Sequence, residues 1–305
     1  EAGDCRLLSD AGRCRVHEEA GFAVFHDCHI FPYGFTRTPE GVAVWTSLFC
    51  PTVRAGGGAP LSENDPDLRG RLQRTPRRWP QRFWRAAGEE IAWTAFRDAE
   101  QALLRYLAGE SGDATTGTAP LRARLLGGLR WLARWADPTA APPPYDPALL
   151  TELLGPASAE DLARAEPLLT LFARADYFQP LAAPVEVALN RGPGSADAAL
   201  QATPFLPYLL RTLVFSKFLS YPHGVVPGFT FVVLAYCLLV RRFAGWQGQD
   251  IPAQAWEHAV NGLQHGFFRR QVAHLLLHDP DTQARSAAPL LGEQLLRATL
   301  GVAAP

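Results

Sequence analysis

Alternation of apolar and polar positions is clearest near the amino end. Over 42–49 the side chains divide into Val42, Val44, Thr46 and Leu48 against Ala43, Trp45, Ser47 and Phe49. A period of two predicts a strand. The turn-forming Pro39-Glu-Gly41 precedes it, so 33–37 is expected to pair with it as a hairpin. Beyond residue 68 the period lengthens. Ile91, Ala95, Ala99 and Ala102, with Leu103 and Tyr106 nearby, recur at threes and fours and predict a helix over 89–107. Leu125, Leu129, Leu132 and Trp135 form the stripe of a second, over 121–136. Further helices are expected from the capping-box sequence Ser158-Ala-Glu-Asp161 to about residue 177, and over 204–221, 228–243, 252–278 and 287–300.

Breakers separate these segments. Residues 52–67 carry Gly56-Gly-Gly58 and prolines and read as a loop. No Lys-Ser/Thr helix follows the glycines, as a phosphate-binding loop would require. The proline-rich 137–146 is the candidate subdomain boundary. The expected fold is mainly α: a helical domain over 68–305, preceded by a small Cys-rich metal-binding knot with a β-hairpin over 1–55. Strands and helices do not alternate, and no Gly-x-Gly opens a helix after a strand, so a doubly wound sheet is not expected.

Charge narrows the partners. Lys+Arg number 29 against 30 Asp+Glu, a net charge of −1. Such neutrality gives no electrostatic ground for nucleic acid or an anionic membrane. Arginines crowd 69–85 together with Trp79, Phe83 and Trp84. With the chain neutral overall, this reads as an arginine-coated helix start whose tryptophans enter the core. The most apolar run, 229–240, has twelve residues where a membrane span needs roughly 20. It reads as a buried helix, with Cys237 an inert core residue. A soluble, cytoplasmic protein is expected. Methionine is absent and the chain starts at Glu1, which leads us to expect sequence upstream.

Cysteine usage changes the picture. Of five cysteines, four fall within the first fifty residues: Cys5, Cys14, Cys28 and Cys50. Crowding of this kind has three explanations: disulfides, a bound metal or cluster, or a reactive thiol. In a reducing compartment ligation is favoured, and four thiolates satisfy one tetrahedral zinc or one iron–sulfur cluster. The spacings of nine, fourteen and twenty-two match neither a zinc ribbon nor a radical-enzyme cluster motif.

The local wording around these cysteines is more specific. Cys5 and Leu8, then Asp10, Gly12, Cys14, Val16 and His17, then Cys28, Phe31 and Pro32, then Ser47, Leu48, Cys50 and Pro51 follow one order. In that order and grammar the chain resembles the flagellin lysine-N-methylase family and the related zinc- or iron-chelating cysteine-cluster domains. It lacks the Cys-Cys pair before Gly-Trp that the family usually carries earlier. The resemblance implies a metal centre, with an iron–sulfur (4Fe-4S) cluster favoured over zinc. It also implies S-adenosylmethionine-dependent N-methylation of protein lysines, with flagellin as substrate. A non-catalytic iron–sulfur or zinc protein, with a structural or redox-sensing site, is the alternative. A secreted protein with two disulfides is a third reading.

Catalytic candidates outside the cysteine region are few. Tyr221 and His223 lie in a loop between two apolar helices, where a histidine can act as a base. His274 and His278 stand four apart, but no Glu follows His274 as the zinc-protease motif demands.

Overall fold

A computed structural model describes residues 9, 15–21, 30–47, 50–54, 61, 65–73, 82–86, 89–109, 120–133, 135, 205–215 and 224–243, with isolated positions at 159, 163 and 259. The chain divides into two units, Glu1–Trp79 and Pro80–Pro305. The described residues are mainly helical, with two antiparallel two-stranded pairs. The expected boundary at 137–146 and the helices expected over 158–177, 252–278 and 287–300 lie outside the described residues, apart from isolated positions.

The first unit opens with a short helix, α1 (Arg15–Ala20). The expected hairpin follows as β1 (Tyr33–Thr38) and β2 (Gly41–Thr46). Its register runs from Tyr33↔Thr46 through Gly34↔Trp45 to Thr38↔Gly41. Pro39 and Glu40 make the turn, and the Thr38 hydroxyl closes it by donating to the Gly41 carbonyl at 3.3 Å. The region read as a loop over 52–67 is partly helical. It holds α2 (Pro51–Arg54) and the start of α3 (Asp65–Gln73). Pro66, one of the prolines that suggested a loop, sits in the first turn of α3, where the missing N–H would have had no partner anyway.

The second unit starts with a hairpin that periodicity did not reveal. β3 (Phe83–Ala86) pairs with β4 (Glu89–Ile91), Phe83 opposite Ile91 and Trp84 opposite Glu90. Two of the arginines read as a helix coat, Arg82 and Arg85, face glutamates across this hairpin instead. Arg85 Nη1 lies 2.9 Å from Glu89 Oε2, and Arg82 Nη1 lies 4.0 Å from Glu90 Oε2. The helix expected from residue 89 therefore starts later, as α4 (Trp93–Ala108). An aromatic cluster fixes that start. The Phe83 ring centroid lies 5.0 Å from Trp93 and 4.9 Å from Phe96. Gly109 ends α4 at φ 79°, its N–H bonded to the Tyr106 carbonyl at 3.0 Å. A left-handed residue at that place is most easily a glycine.

Three more helices complete the described core: α5 (Leu121–Ala133), α6 (Phe205–Phe215) and α7 (Val225–Phe243). α4 packs against α5, α6, α7 and β3. Phe96, Leu103, Leu107, Leu125, Leu129, Leu209 and Phe229 are buried in this core. Residues 224–240 are all buried, as a helix apolar on every side must be. Thr230 within it returns its hydroxyl to the Val226 carbonyl at 3.1 Å. Arg124 donates Nη1 to the Leu107 carbonyl at 2.9 Å, placing a cation at the carboxyl end of α4. Burial lowers the Arg124 pKa from its ordinary value, and Tyr106 opposes that shift. Among the described residues no helix is long and apolar enough to cross a membrane.

Candidate metal centre

Of the four cysteines expected to bind metal, the described residues include Cys50. Cys5, Cys14 and Cys28 lie outside them, as do the catalytic candidates Tyr221 and His223. Among the described residues no three His, Cys, Asp or Glu side chains converge as a metal site. What can be built from the described atoms is the mouth of the first hairpin.

Strand pairing continues past the last ladder pair. The Ser47 N–H donates to the Pro32 carbonyl at 2.6 Å. The chain then folds back, and the Cys50 N–H donates to the Ser47 carbonyl at 3.1 Å. Two of the cysteine motifs are thereby tied backbone to backbone. Phe31-Pro32 closes the Cys28 motif, and Ser47 opens the one ending in Cys50-Pro51. Cys50 is half-buried and forms no disulfide. Its thiol is a soft donor of the type that zinc and iron–sulfur clusters select. Cys50 is the one member of the expected donor set among the described residues.

Two side chains stiffen this mouth. Trp45 lays its indole over Gly34, its partner across the ladder. A methyl at Gly34 would fall inside the contact radius of indole carbons Cδ2, Cε2 and Cζ2. On the opposite face, Tyr33 and Phe35 place their ring centroids 6.5 Å apart. Arg71 of α3 comes down on that face, its guanidinium carbon 5.3 Å from the Tyr33 ring centroid. Its Nη1 also donates to the Phe31 carbonyl at 3.2 Å. Periodicity reveals neither contact, because one spans the ladder and the other links positions forty residues apart. An arginine at the third position after a buried Leu68, on one helix face, is the only trace in the sequence.

Cys237 lies in α7 of the second unit, fully buried and in no disulfide. It occupies the core position expected of it. Comparison with known proteins adds no match: no family model, no curated protein and no solved structure is significantly similar to this chain.

Proposed function

We propose that this chain is a thiolate-bound metal protein, using Cys5, Cys14, Cys28 and Cys50 to hold a 4Fe-4S cluster in preference to zinc. One observation supports it most. The hairpin mouth joins Pro32 to Ser47 and seats an unbridged, half-buried Cys50 directly beyond. A metal centre of this kind would link binding to folding, because its ligands come from segments far apart in the sequence. Purified protein should carry visible absorption, iron and acid-labile sulfide. Stoichiometric zinc in a colourless protein would replace the cluster with a structural ion. Loss of free thiols in denaturant, with no metal, would sink the reading.

The activity we propose is S-adenosylmethionine-dependent N-methylation of lysine on a protein, with flagellin as substrate, on the strength of the ordered motifs in residues 5–51. Such transfer requires a deprotonated lysine amine aligned with the sulfonium methyl. Tyr221 and His223 are the residues proposed to assist it. Incubation with labelled S-adenosylmethionine and flagellin, followed by amino-acid analysis, tests this directly. A non-catalytic redox or structural site is the second reading. In its favour, the strands among the described residues form antiparallel pairs alone, with no strand–helix–strand unit of the dinucleotide-binding type.

A further inference from the structure

We infer that Arg71 is a positioning residue for Cys50, an inference that rests on the thiolate–metal reading above. Arg71 grips the strand that leads into the hairpin at two neighbouring points. Its Nη1 donates to the Phe31 carbonyl at 3.2 Å, and its guanidinium carbon sits 5.3 Å from the Tyr33 ring centroid. Between them lies Pro32, whose carbonyl receives the Ser47 N–H. Ser47 in turn receives the Cys50 N–H. A line of contacts therefore runs from the Arg71 side chain to the backbone that carries the Cys50 thiol.

Burial holds the outer end of that line only in part, Pro32 and Tyr33 being half-buried. The Phe31 side chain is 45% exposed. Pro32 has no N–H to add to the ladder. Arginine suits the role because one planar group both stacks on an aromatic face and donates in its own plane. Lysine keeps the charge and loses that combination. A metal ligand must be held within a fraction of an ångström of its productive place, and partners that orient a ligand commonly change metal affinity by about tenfold or more.

The test uses the full chain, reconstituted with iron and sulfide or with zinc, comparing the parent with R71A, R71K and Y33L. Metal release to a chelator should be about tenfold faster in R71A. The thiolate-to-metal absorption band should shift as the Cys50 bond lengthens. R71K should accelerate release by less, and Y33L, which keeps the hydrogen bond, by less than R71A. Alkylation of Cys50 in the metal-free chain should also quicken in R71A. If R71A does not fold, the R71K and Y33L comparisons carry the same expectation. Release rates and spectra equal to the parent's overturn the inference and leave the metal reading standing. A parent chain that takes up neither zinc nor a cluster overturns both.

Discussion

Replacing Gly34 by alanine probes the hairpin mouth from the face opposite Arg71. The added methyl would overlap three indole carbons of Trp45, so the ring must swing off its partner strand. Forcing an extra methyl into a packed contact costs about 1–3 kcal/mol. Against this, alanine in a strand recovers roughly 0.5–1 kcal/mol of the backbone entropy that glycine loses. The expected net is a loss of about 1–2 kcal/mol, confined to the first unit. Hydrogen exchange of the β1 and β2 amides reads that loss, and alkylation of the half-buried Cys50 thiol follows opening of the same mouth. A double-mutant cycle isolates the cause. In a Trp45→Val background the overlap is gone, and Gly34→Ala should become neutral or slightly stabilising. Coupling between the two sites should therefore be about 1–3 kcal/mol, the steric part alone and well above the scatter of independent sites. If Gly34→Ala is harmless with Trp45 in place, or equally costly without it, the indole does not rest on Gly34.

Other expectations are simpler. Cys14→Ser should lower metal content and folding yield together, whereas Cys237→Ala should leave metal content unchanged; metal analysis of both separates ligand from core cysteine. Phe229→Ala, removing a ring with no solvent exposure, should cost about 3–5 kcal/mol by denaturant titration. Glu89→Gln should cost less than about 1 kcal/mol, since its carboxylate is 51% exposed and solvent screens its pairing with Arg85.

The helical part was legible where a stripe runs long. The second helix begins at Leu121 as expected, and the fully apolar stretch around 229–240 lies within α7. The misplacement at residue 89 has a local cause. Glu89-Glu-Ile91 extends the helical pattern of 93–108 in register, and a three-residue strand is too short to show a period of its own. What separates strand from helix there is partner geometry. Arg85 meets Glu89 across the hairpin, and Phe83 packs on Trp93 and Phe96. α7 starts at Val225, ahead of the expected residue 228, with Pro227 in a first turn that tolerates it. At the candidate site, crowding and the order of the surrounding motifs single out the cysteines as expected ligands, while Arg71 looks like one of many arginines until α3 is seen against Tyr33.

Sequence alone determined the α-helical character of the core, the first hairpin and the chemistry available to its amino end. Those properties follow from periods and residue types, which act over a few neighbours. Tertiary structure decided where the second hairpin interrupts the helix, that Gly34 serves as the seat of an indole, and that Arg71 meets the chain entering the first hairpin at Phe31 and Tyr33. Each of these depends on groups brought together across a ladder or across forty residues. Their energies are set by proximity in space, which no local pattern encodes.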